Sequence, residues 1–262
     1  MKKSLGVIMA ALMAFTFGTA SAAEIGNDGF VQVEVEVYPE PGESLNDMRR
    51  VAVAEAYRQL AEEVDELHVT SNTTVIKSRR ASDTINISVD TILKGARISK
   101  VYRDNAGVFH AIASLGVYGG ANSLAGVLLP TDVVHEDFPQ PKMTSMESGS
   151  FDQGKSYTGL ILDCRGRGLT TAISPAILSQ GGERIYAYEN VPRQTAISWG
   201  MVDYSEDINS GVSRAGDSPL IIKAVSVSGG VDPVVSQADA DRILAANQTS
   251  KFLANCSVVI VR

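Results

Sequence analysis

The sequence predicts an α+β protein, in which a small N-terminal α/β sandwich of order β-α-β-α-β-β is followed by a second mixed α/β domain. Three observations carry this. Valines alternate strictly with polar residues from Phe30 to Tyr38, apolar residues recur every three or four positions from Leu45 to Leu67, and a second set of β-branched runs begins at Thr158 beyond a Pro-, Ser- and Met-rich stretch. The 262 residues, 44% hydrophobic and 20% charged, suffice for one large domain or two small ones.

A leader precedes the first strand. Lys2 and Lys3 form a short basic region, Leu5 to Phe17 an apolar run, and Ala20-Ser21-Ala22 a small-residue cleavage site. The run is too short for a spanning helix, which needs about 20 apolar residues. Residues 1–22 are therefore expected to be removed as a signal peptide, leaving an exported, periplasmic chain with no further segment of spanning length. No cysteine lies near the site, the first being Cys164, so lipidation is not expected. Loss of both lysines takes the net charge of -7 lower still, which disfavours nucleic acid and anionic lipid as partners.

In the first strand Val31, Val33, Val35 and Val37 face one way and Gln32, Glu34, Glu36 and Tyr38 the other. Pro39 and Pro41-Gly42 end it. Ser44 and Asp47 have the spacing of a capping box, opening a helix of about six turns with Leu45, Met48, Ala52, Ala56, Leu60, Val64 and Leu67 along one stripe. Its alanines suggest close approach to a sheet. Residues 68–80 favour a strand through Val69, Thr70, Thr73, Thr74, Val75 and Ile76. Asp83 is placed to cap a short second helix closed by Gly95. Ala96 to Tyr102 and Val108 to Tyr118 read as a hairpin turning at Asp104-Asn105-Ala106-Gly107.

These residues carry a resemblance. The helix Val51-Ala52-Val53-Ala54-Glu55-Ala56-Tyr57-Arg58-Gln59-Leu60, the run Gly95-Ala96-Arg97-Ile98 into Val101-Tyr102, and the hairpin into Val108-Phe109-His110-Ala111 resemble the Lpp-twenty lipoprotein domain, found also in flagellar assembly proteins T and P. The likeness covers roughly residues 30 to 118 and rests mostly on core and turn positions, so it implies fold more than function. It implies a cell-envelope setting and envelope partners, flagellar basal-body components among them. The missing lipidation cysteine departs from the lipoprotein members.

The domain reading is then 23–129 for the Lpp-twenty-like unit, 130–155 for a linker, and 156–262 for the C-terminal α/β domain. The apolar run Leu124 to Leu129 borders the linker, where it either packs on its own domain or docks a partner. In the second domain Thr158 to Asp163 reads as a buried central strand. Ile173 to Leu178 and Arg184 to Tyr188 flank a hairpin at Ser179-Gln180-Gly181-Gly182, and Pro192 to Tyr204 reads as a helix with Trp199 in the core. Leu220 to Val227 is a strand, Ser236 and Asp239 open a helix, and Ser257 to Val261 is the last strand.

Chemistry-bearing residues are few. Asp163-Cys164-Arg165-Gly166-Arg167-Gly168 lies where a strand meets a glycine-containing loop, a place where α/β proteins bind anions. Asp163, Arg165, Gly166, Arg167 and Gly168 are the weak ligand-site candidates; the bland reading is a tight turn with an arginine paired to Asp163. The spacing fits neither the phosphate loop nor the dinucleotide fingerprint. No Gly-x-Ser-x-Gly elbow occurs, and His68, His110 and His135 all lie outside the region of the cysteines. Glu62, Glu63, Asp65 and Glu66 read as a solvated acidic helix face. No catalytic residue, metal or cofactor is assigned.

Cys164 and Cys256 are the only cysteines, and export would place them in an oxidising compartment. If the strands they border are neighbours with those ends level, a disulfide is feasible; otherwise they pack as buried thiols. Two readings of function remain. One is a non-enzymatic envelope structural or assembly factor, with a flagellar association as its narrower form and oligomerisation left open. The other is a periplasmic small-molecule binder or hydrolase with its site near Asp163 to Gly168.

Overall fold

The computed structural model describes residues 24–39, 41–142, 155–209 and 212–262. The leader and residues 143–154 of the expected linker lie outside them.

Strand β1 (Phe30–Val37) leads to helix α1 (Leu45–Glu66), opened by Ser44, whose Oγ accepts the Asp47 N–H at 3.2 Å while its hydroxyl donates to the Asp47 carboxylate at 2.6 Å. Met48, Ala52, Ala56, Leu60 and Val64 are buried in one stripe, as their spacing predicts. Leu45, expected at the head of the stripe, is not part of it: at the first turn, ahead of the sheet contact, it stays 55% exposed. The helix lies over β1 and β5, where Ala52 and Ala56 meet a sheet that also presents small side chains, the buried Ala111 and Ala113.

The region 68–80 differs from expectation. Only β2 (His68–Thr70) and β3 (Thr73–Thr74) are extended, and α2 (Val75–Ala81) follows at once. Tertiary contacts override the β-propensity of Val75 and Ile76. Val75 is buried with its N–H on the Leu67 carbonyl, and Arg79 reaches Asp65 at 2.8 Å and Asp90 at 2.6 Å, tying three helices together. Helix α3 (Asp83–Leu93) is capped by Ser82 rather than Asp83. Then β4 (Arg97–Arg103) and β5 (Phe109–Gly116) form the expected hairpin, and the sheet order is β1-β5-β4, antiparallel throughout. The helices cover one of its faces.

The apolar run at 124 forms the short helix α4 (Leu124–Leu128), buried between α3 and the following unit. From Pro130 to Lys142 the chain runs across the second unit. The Tyr188 hydroxyl donates to the Pro130 carbonyl, the Glu136 N–H to Glu189, and the Lys142 N–H to the buried Asp241 carboxylate at 2.8 Å, while Phe138 stacks on Tyr186.

The second unit holds β6 (Gly159–Asp163), β7 (Ile177–Ser179), β8 (Arg184–Tyr186), α5 (Arg193–Trp199), β9 (Asp203–Ser205), α6 (Val212–Ala215), β10 (Pro219–Lys223), β11 (Ser226–Ser228), β12 (Asp232–Val235), α7 (Gln237–Ser250) and β13 (Val258–Val261). One sheet is wholly parallel, order β10-β6-β13-β9, and the other is mixed, order β11-β12-β7-β8. Strand β6 is central, as its unbroken apolar run predicts. Leu160, Leu162, Val258 and Ile260 join the main core, whereas Ile161, Val259 and Val261 form a smaller cluster with Ala215.

The expected helix from 192 to 204 stops at Trp199. Gly200, at φ +82°, takes the chain out of the helix and β9 joins the sheet instead. Trp199 is not a core residue but 74% exposed. Ile197 faces inward, and two residues along a helix is a turn of about 200°, which carries Trp199 to the opposite side.

Backbone bonds join the two units. The Ile173 and Ser174 N–H groups donate to the His68 and Val69 carbonyls, both at 2.9 Å, so β2 pairs in parallel with the second unit. Tyr118 lies over Gly200, where a Cβ would come within 2.8 Å of its ring, and its hydroxyl donates to the Ile173 carbonyl. One contiguous core spans both units.

Candidate functional site

Asp163 ends β6 at the carboxyl edge of the parallel sheet, level with Lys223 of β10, Val261 of β13 and, beyond it, Ser205 of β9. The Arg165 guanidinium grips the Asp163 carboxylate with two bonds of 2.8 Å, and the Arg165 N–H adds a third at 3.2 Å. That grip, helped by Lys223, lowers the Asp163 pKa to about 2. The Arg167 N–H donates to the Cys164 carbonyl to close the turn. Gly166 and Gly168 adopt φ of +72° and +67°, and a Cβ on either would meet nothing within 4 Å. At these angles the glycines let the backbone make the turn. The five candidates are brought together as a turn closed by an internal ion pair, with Arg167 exposed at its tip.

The two cysteines are free and buried, and the strand direction explains why. Cys164 follows β6 and Cys256 precedes β13, but β6 and β13 are parallel with Leu160 level with Val258. The thiols thus sit at opposite ends of the sheet, roughly 20 Å apart at about 3.3 Å per residue, far beyond disulfide reach. Of the two alternatives the sequence leaves open, the strand directions fit buried thiols and not a bridge. Burial raises the Cys164 pKa to about 12 and pushes that of Cys256 up as well, the opposite of what a nucleophilic cysteine needs.

A cluster of polar residues that sequence reasoning left in pieces lies on the open face of the first sheet. The register sets Glu36, His110 and Tyr102 in one row, Glu34, Ile112 and Lys100 in the next, and Gln32, Ser114 and Arg97 in a third. The His110 and Tyr102 rings stack with centroids 4.5 Å apart, and the Lys100 ammonium lies 4.4 Å over the Tyr102 ring. The Tyr102 hydroxyl donates to Glu34 at 2.7 Å. His110, with 11% of its side chain exposed, has Nδ1 at 3.2 Å from Glu34 and 3.9 Å from Glu36, and Nε2 at 3.6 Å from Asp104. The Val108 N–H on Asp104 is the chief cause of that carboxyl's lowered pKa, with His110 adding to it. The alternation of Glu34 and Glu36 was visible in the sequence; the hairpin register that brings His110 between them was not.

Among the described residues no three His, Cys, Asp or Glu side chains are arranged to hold a metal ion, and no helix is long and apolar enough to cross a membrane. The fold and these surfaces define a class: an α+β domain with one open, charged sheet face, joined to an α/β unit. Comparison with known families names its parts. Residues 18–116 match the LPP20 lipoprotein family, so the first unit is similar to an LPP20 domain. Residues 159–262 match the second domain of Treponema pallidum Tp0624. No curated protein matches the chain.

Proposed function

We propose that this is an exported, non-catalytic protein of the cell envelope that acts as a structural or assembly factor. The observation that carries the reading is the open face of the LPP20-like sheet, a surface built from Glu34, Glu36, Lys100, Tyr102 and His110 that the helices leave uncovered. The alternative reading, a binder or hydrolase at Asp163 to Gly168, is the less supported of the two because Asp163 and Arg165 are paired with each other. Export follows from the leader. Cleavage after Ala22 leaves Glu24 and Ile25 to enter the fold directly, and the lack of a nearby cysteine leaves the chain unlipidated. A flagellar setting is the narrower form of this proposal.

Fractionation and in-cell crosslinking test it. The account expects a mature chain beginning at Ala23 in the periplasmic fraction and covalent adducts with envelope proteins. A cytoplasmic, unprocessed chain contradicts it. So does a folded Asp163→Ala/Arg165→Ala variant that has lost a measurable hydrolytic or ligand-binding activity. Adducts with rod or ring components support the flagellar form, and adducts confined to other envelope proteins remove it.

A further inference from the structure

The open sheet of the LPP20-like domain carries opposite charges on its two edges. Strands β1 and β4 each pair with β5 alone among the described residues, so each presents an outer row of free backbone groups. On β1, the Glu34 and Glu36 side chains are 45% and 52% exposed; their contacts are tyrosine hydroxyls and His110, with no Lys or Arg partner among the described residues. On β4, Arg97 and Lys100 lie on the same face, without a carboxylate partner among the described residues. The two sets are separated by β5, roughly 10 Å across the sheet, so they do not neutralise each other within one chain.

We propose that a second copy of this chain adds to the sheet edge to edge, β1 of one copy against β4 of the next. Both strands run antiparallel to β5 and hence parallel to each other, so the added strand extends the sheet in parallel, head to tail. Docked level, Lys100 faces Glu34; after a two-residue slide, which keeps every side chain on its face, Lys100 faces Glu36 and Arg97 faces Glu34. The symmetric alternatives are disfavoured. Pairing β1 with β1 sets carboxylates together, and pairing β4 with β4 sets cations together. The bulge between Ile98 and Lys100 confines regular pairing on β4 to its last four residues, which makes the contact weak and salt-sensitive. Because the contact is heterologous, each added copy leaves one acidic and one basic edge free, and growth continues to a ring or a filament.

The proposal deepens the assembly reading and fails separately from it: a monomer that still crosslinks to envelope proteins removes self-association alone. The experiment is sedimentation velocity of the mature chain over a concentration series at low and high salt. Two variants are compared, Glu34→Lys/Glu36→Lys and Arg97→Glu/Lys100→Glu, each checked for folding by circular dichroism. The wild type should sediment faster with concentration at low salt and lose that rise at high salt. Each variant alone should associate more than about tenfold more weakly, since like charges then meet. Their equimolar mixture should regain association, because the basic β1 of one fits the acidic β4 of the other. A wild type that stays monomeric at low salt overturns the proposal, as does a single variant that associates like the wild type. A mixture of folded variants that fails to associate overturns it too. Should a double variant not fold, Glu36→Lys and Lys100→Glu repeat the same comparison.

Discussion

The carboxylate of Glu24 and the guanidinium of Arg262, 238 positions apart, form a two-pronged ion pair at 2.6 and 2.7 Å. Next to it the Ile25 N–H donates to the Thr171 hydroxyl, and the Ile25 side chain is buried in the core that both units share. The residues just past the expected cleavage site thus fasten the first strand to the last. Burial governs the energy here more than charge does. Ile25→Ala should cost about 2 to 4 kcal/mol in urea unfolding, while Glu24→Ala, a partly exposed pair, should cost about 1 kcal/mol or less. Equal costs would mean that the ion pair, and not the buried side chain, fastens the ends.

Gly200 sits under the Tyr118 ring with positive φ, so two penalties coincide in Gly200→Ala: a left-handed backbone and a Cβ pressed 2.8 Å from the ring. Loss of about 2 to 4 kcal/mol is expected. Gly166→Ala shares the positive φ but opens onto empty space, so it should lose only about 1 to 2 kcal/mol. Chemical denaturation of both variants, with equal losses, would show that Tyr118 does not press on that position.

Thiol titration separates buried cysteines from a bridge. Folded protein should react slowly, since Cys164 is 1% exposed and Cys256 fully buried, and denatured, unreduced protein should yield two thiols per chain. A denatured monomer with no reactive thiol would overturn the parallel arrangement of β6 and β13.

Asp163 gives the acid limb of stability. Its folded pKa of about 2 lies below the value of 3.8 for an unperturbed carboxyl, so the folded state favours the ionised form. The resulting stability is complete above that higher value and is lost as pH falls through about 2. It amounts to about 1 kcal/mol once the solvent exposure of Arg165 is allowed for. Asp163→Asn should remove this part of the pH dependence between those two values, and an unchanged acid profile would show that the pair contributes nothing.

Local features were legible in the sequence because local spacing encodes them. The α1 stripe, both serine caps at Ser44 and Ser236 and the β4–β5 hairpin follow from periodicity and turn chemistry. What depends on distant pairing was not. Nothing near Cys164 or Cys256 in sequence tells whether β6 and β13 are parallel, and that single fact decides the disulfide. Trp199 reads as core because it lies beside Ile197 and Met201 in sequence, but two residues along a helix carry it to the side opposite the buried Ile197. The His110 cluster needs the registers of two strand pairs at once, and the join of β2 to the second unit needs contacts across more than 100 positions.

The central claim is that the open LPP20-like sheet face makes this protein's working contacts. A photo-crosslinking residue in place of Glu36, compared in living cells with one in place of Ile221 on the second unit, tests it most directly; both positions are solvent-exposed. The account predicts strong, discrete adducts from position 36 and few from position 221. Adducts from position 221 with none from position 36 would contradict it.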